Sequence, residues 1–183
     1  TTVAIPTAAV SAGQMLRWRI EALDSTGRIS KLPPYPSVTN SPQYFGTVAE
    51  NPATDTSQLP VFEWFVQNSG TNGPSSGAGR GSCYYLGRFY DNCGQDIHGQ
   101  STANFAKRSY DIDFNSGHRF TWREGEPEVK DVNLLTNYAD KTKTRNTMSQ
   151  EVAMLAGAPY CWCFPVRVQI NGIFHGVMDL MED

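Results

Sequence analysis

A chain of 183 residues with 39% hydrophobic side chains has room for one buried core, that is one domain or one and a part. Fifteen Lys and Arg against eighteen Asp and Glu leave a formal net charge of −3, which gives no electrostatic reason to expect nucleic acid or an anionic membrane as partner. No apolar run approaches the roughly 20 residues of a membrane span. Neither a starting Met nor a signal peptide is present, so a processed piece of a longer polypeptide is expected.

Residues 1–12 carry few charges and read as a strand and loop. Next, Met15, Arg17, Arg19 and Glu21 alternate with Leu16, Trp18, Ile20 and Ala22, which predicts one strand with a wet and a dry face. Asp24-Ser25-Thr26-Gly27 turns, and residues 28–32 return. An isolated two-stranded hairpin is marginal in water, so this one must dock on something. It resembles the closing hairpin of an immunoglobulin-like or fibronectin type III sandwich; an N-terminal hairpin of the main domain is the other reading. Pro33-Pro34-Tyr35-Pro36 is a stiff connector, since proline fixes φ and restrains the residue before it. Residues 37–56 continue as loop.

Residues 59–66 (LPVFEWFV) predict a buried strand, and residues 68–81 a Gly/Ser/Asn loop. Such a loop can cradle phosphate through backbone N–H groups, but it lacks the G-x-x-x-x-G-K pattern, and a flexible surface loop is the competing reading. Residues 83–93 form a hairpin turning at Leu86-Gly87, with Tyr84, Tyr85, Phe89 and Tyr90 for cross-strand pairing. The strand continues to His98. Tyr110, Ile112 and Phe114 alternate with Asp111 and Asp113 along a half-buried strand, and residues 120–130 form a polar, exposed excursion. A short strand over 132–135 precedes one helix near 140–156. That helix has Met148, Val152, Leu155 and Ala156 on one stripe, Asp140 as N-cap, Gly157 as stop and Pro159 beyond. A last hairpin turns at Asn171-Gly172, because both central residues of that turn need φ > 0.

Four cysteines stand at 83, 93, 161 and 163. An even count in an exported chain favours at least one disulfide, with three connectivities open. C-x-C plus two distant cysteines fits a zinc site poorly, and free core thiols complete the alternatives. No Asn-x-Ser/Thr acceptor survives the proline rule.

Three stretches carry a family resemblance. They are Phe105-Ala106-Lys107-Arg108-Ser109-Tyr110, Asp140 followed by Arg145-Asn146, and Asn171-Gly172-Ile173-Phe174-His175-Gly176 ending at Glu182. Together with the 83–93 hairpin, and in this order, residues 59–183 resemble the N-terminal half of the CotH family, kinase-like proteins named after a spore coat protein. The resemblance implies an atypical kinase that binds ATP and magnesium and phosphorylates secreted proteins. The fold expected is α+β: an antiparallel, β-rich, kinase-like small lobe with one main helix, preceded by a β-hairpin from a β-sandwich-like module. The division expected is residues 1–32 for the end of that module, 33–58 for a proline-rich linker, and 59–183 for the CotH-like part.

Phosphoryl transfer needs cations on the phosphates, oxygen ligands for magnesium and a base for the attacking hydroxyl. The resemblance puts Lys107 and Arg108 on the phosphates, beside the Ser101-Thr102 loop; without it they read as a solvated basic pair at a strand end. Glu151 is the helix carboxylate expected to pair the strand cation, with an ordinary exposed helix glutamate as the alternative. Glu182, ending the last strand, is expected near adenine or ribose, although Asp179 and Asp183 are equally acidic neighbours. Two positions depart from the family: His98 stands where it usually has Arg, and Arg108 replaces its second lysine. Catalytic residues and metal ligands are expected beyond residue 183, none within it, so ATP and magnesium would be used only with a missing downstream lobe. Two readings follow, both exported to the cell surface or outside. One is a fragment of an atypical kinase, inactive alone. The other is a catalytically inactive CotH-like module of a large extracellular structural protein. The partners expected are the remainder of its own longer polypeptide and other extracellular protein chains, with no nucleic acid and no membrane span.

Overall fold

The computed structural model describes residues 4–67, 69–70, 73–74 and 79–183. Its strands are β1 (Met15–Trp18), β2 (Ile20–Leu23), β3 (Ile29–Leu32), β4 (Phe45–Val48), β5 (Val61–Val66), β6 (Ser69–Gly70) and β7 (Gly73–Pro74). They continue with β8 (Gly79–Tyr85), β9 (Arg88–His98), β10 (Ser109–Asp113), β11 (Asp131–Leu135), β12 (Cys163–Ile170) and β13 (Ile173–Glu182). The helices are α1 (Pro52–Asp55) and α2 (Arg145–Leu155).

Seven strands close a barrel in the order β10-β11-β13-β12-β5-β8-β9. Two tight turns set its hairpins: Leu86 (φ 46°) with Gly87 (φ 79°), and Asn171 (φ 52°) with Gly172 (φ 78°). Both are left-handed at two successive residues, the twist that joins antiparallel strands without splaying them. Strand β9 spans eleven residues; its first part pairs β8 and its end, Gly94 to His98, pairs β10. The remaining closure is parallel, β5 on β12, with Val61 opposite Arg167 and Trp64 opposite Ile170.

Inward-facing strand residues and one residue of the β10–β11 loop form the core: Phe62, Trp64, Tyr85, Tyr90, Tyr110 and, from the loop, Phe120 are all at most 1% exposed. Trp64 meets Tyr110 edge-on at 4.9 Å, and Phe114 stacks on Phe120 at 4.7 Å. Each such aromatic pair contributes about 0.5–1.5 kcal/mol beyond its area. The polar ends are satisfied inside, Trp64 Nε1 donating to Gln95 Oε1 at 3.0 Å and the Thr121 N–H to the Tyr90 hydroxyl at 3.0 Å.

This architecture overturns the expected α+β, kinase-like small lobe. The fold is mostly β, and its core lies inside a closed sheet rather than between a sheet and a helix. A closed sheet covers its own apolar face, so α2 is not needed as a lid and buries no residue. The helix exists where periodicity placed it, but its stripe points outward: Met148, Val152 and Leu155 are 58%, 63% and 77% exposed. It starts at Arg145, so that Thr144 and not Asp140 is its N-cap residue; Asp140 lies further back and accepts from the Arg145 N–H at 3.1 Å.

Other expectations change locally. Residues 120–130 are not wholly exposed: Phe120 is fully buried and bridges to Val129. The loop expected over 68–81 lies partly outside the described residues; within it β6 pairs β7, and β8 already begins at Gly79. The single strand expected over 14–22 breaks at Arg19, so that β1 pairs β4 while β2 pairs β3. Strands β2 and β3 have no dry face, every residue being exposed. The stretch 37–56 is not loop throughout, since it holds β4 and α1.

Two residues of β9 fasten this N-terminal segment to the barrel. Asp91, 2% exposed, accepts the Gln43 and Tyr44 N–H groups at 2.9 and 3.0 Å and the Ser82 hydroxyl at 2.9 Å. Asn92 donates to the carbonyls of Val38 and Ser41. Among the described residues no helix is long and apolar enough to cross a membrane.

Candidate functional site

Two cavities hold most of the predicted site residues. The first, about 280 Å³, lies outside the barrel between the 3₁₀ turn Ser101–Asn104, the start of β10 and the loop after β11. His98, Thr102, Lys107, Asn137, Asp140 and Asn146 line it. Lys107 reaches across β13, where its Nζ donates to the Val177 carbonyl at 3.3 Å. It passes over Gly176, where any Cβ would run into the lysine nitrogen. Burial pushes the Lys107 ammonium pKa down, and the Lys143 charge adds to that. His175 is held neutral, lowered to about 4 by burial and by Lys107.

The floor beside Lys107 is an amide and carboxylate network. Asp179, 2% exposed on β13, accepts from Asn137 Nδ2 at 2.5 Å, and Asn146 Nδ2 donates to Asn137 Oδ1 at 2.7 Å. Burial raises the Asp179 carboxyl pKa against the hydrogen bonds of Asn137 and Asn146. At the rim, His98 Nδ1 lies 2.6 Å from Asp111 Oδ1. Asp140 is pushed up by burial, but hydrogen bonds from Thr142 and Arg145 outweigh this and bring it down to about 2.

The second cavity, about 590 Å³, opens between α2, the start of β12 and the loop after Phe120. Trp122 stacks on Trp162 at 4.9 Å and 13°, with the Arg123 guanidinium 4.7 Å over the Trp122 ring. Glu151 and Glu182 line this cavity, with Cys161 and Cys163. Burial and the nearby Asp179 raise the Cys163 thiol to about 11.

The structure therefore divides the predicted residues instead of assembling them. Lys107 stands in the first cavity, Glu151 and Glu182 in the second. Ser101 is exposed at the head of the 3₁₀ turn whose next residue, Thr102, faces Lys107. Half-buried Arg108 precedes β10, close enough to Tyr110 to act on its phenol. All four cysteines are free thiols; Cys83 and Cys93 are buried together, and burial raises the Cys83 thiol well above its ordinary range. Sequence reasoning missed Asn137, Asn146 and Lys143 in this role. Asn137 and Lys143 adopt left-handed φ of 51° and 62°, which no local pattern announced. Asp179 was visible only as one of three acidic neighbours; its alternation with buried Met178 and Leu180 marks it as facing out of the barrel.

Residues 96–183 match the family model described as CotH kinase protein. That stretch holds the end of β9, β10 to β13 and α2, and so the whole lining of the Lys107 cavity. No curated protein matches the chain significantly.

Proposed function

We propose, from the match of residues 96–183 to the CotH family model, that the chain is the phosphate-binding part of an exported atypical protein kinase domain. It meets the ATP phosphates through Lys107 and Arg108 and transfers none by itself. One observation carries this reading: the half-buried Lys107 ammonium faces a cleft beside Thr102 and is hydrogen-bonded to a backbone carbonyl. An ammonium has three donors, so the remaining ones are available to a ligand. The cleft's 280 Å³ falls just under the roughly 300–1,000 Å³ of whole small-molecule sites, which suits a phosphate moiety better than a complete nucleotide. Magnesium enters this reading only together with a downstream lobe.

Titration of ATP into the chain tests this. Weak binding that Lys107→Ala abolishes is expected, with no transfer of labelled phosphate to exported acceptor proteins. Undiminished binding by Lys107→Ala, or transfer by the chain alone, overturns it.

The second reading is a catalytically inactive module of an extracellular structural protein, in contact with other extracellular chains. It is favoured by the placement of Glu151 in the other cavity, away from Lys107. Phosphate transfer by the complete polypeptide, lost on Lys107→Ala, would exclude it; failure to transfer with magnesium or manganese would select it.

A further inference from the structure

The loop from Asn137 to Lys143 is folded onto itself. Asp140 organises it, accepting from the Thr142 N–H and hydroxyl at 3.0 and 2.8 Å, while its own N–H bonds the Asn137 carbonyl. Lys143 takes the left-handed conformation, uncommon for a lysine, and turns its side chain back. Its Nζ donates to the carbonyls of Asn137 at 2.5 Å and Tyr138 at 3.4 Å. Asn137 and Tyr138 are the wall of the Lys107 cleft. The second ammonium is thereby fastened to the cleft's edge.

Two like charges are brought together here without a counter-ion. Among the described residues' ion pairs, neither Lys107 nor Lys143 has a carboxylate partner. The acid that lines the cleft, Asp140, is taken by Arg145 at 3.4 Å and by the Thr142 and Arg145 hydrogen bonds. The proximity is felt: the Lys143 charge helps to hold the Lys107 pKa down. Each ammonium keeps donors in hand, since Lys107 uses one on Val177 and Lys143 uses two on its own loop. A half-buried ammonium at Lys107 beside an exposed second one at Lys143 costs free energy that an anion bridging them would offset.

We propose that Lys107 and Lys143 form a two-cation clamp for a polyphosphate, with Lys143 as an anion-binding residue on the loop between β11 and α2. The inference rests on the phosphate reading of the Lys107 cleft and adds its second half. The ligand class is a chain of at least two phosphoryl groups, one within the cleft at Lys107 and the next at the edge where Lys143 is tethered.

Inorganic tripolyphosphate is the probe, titrated calorimetrically at low salt into wild type, Lys143→Gln, Lys143→Arg and Lys107→Ala. Glutamine removes the charge and keeps an N–H₂ donor one bond shorter, while Lys143→Arg keeps both the charge and the reach to the Asn137 and Tyr138 carbonyls. Lys143→Gln is expected to weaken tripolyphosphate about fivefold or more, as the loss of one charge contact, and to flatten the salt dependence. Orthophosphate should lose less, Lys143→Arg should restore binding, and the melting temperature should stay put. If wild type binds and Lys107→Ala does not, while Lys143→Gln binds like wild type, the clamp is overturned and the Lys107 reading stands. If wild type does not bind tripolyphosphate, both fall. Equal weakening of orthophosphate and tripolyphosphate by Lys143→Gln also overturns the clamp.

Discussion

Lys107 and Glu151, the strand-side cation and the helix carboxylate that a kinase-type pair would join, line different cavities. Helix α2 lies against β12 and presents Glu151 to the tryptophan-lined cavity, while Lys107 crosses β13 toward Val177. Glu151→Ala should therefore leave ATP or tripolyphosphate binding unchanged. Stability should move by no more than about 0.5 kcal/mol, as for other exposed positions. A tenfold loss of binding in calorimetry would show that the pair forms after all.

Gly176 should matter to the same cleft although it touches no ligand. A Cβ there meets the Lys107 Nζ, and the backbone sits at φ 150°. Gly176→Ala should displace the ammonium and weaken phosphate binding, at a cost in stability of about 1 kcal/mol. In a Lys107→Ala background the same substitution should cost less, because the clash has been removed. Equal costs in both backgrounds, measured by urea unfolding, would mean that the lysine is not what Gly176 makes room for.

Opposed titrations set the pH dependence of stability. Glu63, 5% exposed on β5, is raised from 4.5 to about 7, by burial first and against the Arg167 charge. A carboxyl raised in the folded state contributes stability below its unfolded value that is lost as pH climbs through about 7. His175 is lowered from 6.5 to about 4, so its contribution is present above pH 6.5 and lost as pH falls through about 4. Between pH 4.5 and 6.5 the two nearly offset each other. Glu63→Gln should leave a stability that rises with pH in this window, and His175→Gln one that falls, each by up to about 1.4 kcal/mol per pH unit. Identical pH profiles for the two variants would refute these assignments.

The legible parts of the fold were those written locally. Leu86-Gly87 and Asn171-Gly172 announced their turns, and the alternation of Tyr110, Ile112 and Phe114 announced the buried face of β10 and the residue just after it, where they are 1%, 0% and 4% exposed. Closure of the barrel was not legible, because its decisive contact pairs Val61 with Arg167 across more than half the chain. Helix α2 shows a different limit. Spacing fixed its existence, but periodicity states which residues share a face and not what covers that face. In the site, Lys107 and Thr102 were reachable from the strand-end basic pair and its loop. Lys143 and Asn137 were not, since their roles depend on left-handed backbone imposed by the Asp140-centred turn.

Asp91 should prove the main tie between the N-terminal segment and the barrel. Its carboxylate is 2% exposed and accepts three hydrogen bonds, from Gln43 N, Tyr44 N and Ser82 Oγ, with Arg17 at 3.6 Å. Removing it strands two backbone donors and a hydroxyl in a part-buried site, where each unsatisfied group costs about 1–3 kcal/mol. Asp91→Ala should therefore destabilise by roughly 3 kcal/mol. Because β4 and the residues before it are held through this carboxylate, the loss should be felt first there, as faster hydrogen exchange at Gln43, Tyr44 and β4 than at β10 or β11. Asp91→Asn keeps one acceptor oxygen and should fall between the two. Uniform acceleration of exchange across β4, β10 and β11 would instead mean that the segment and the barrel unfold as one unit and that Asp91 is a core residue of both.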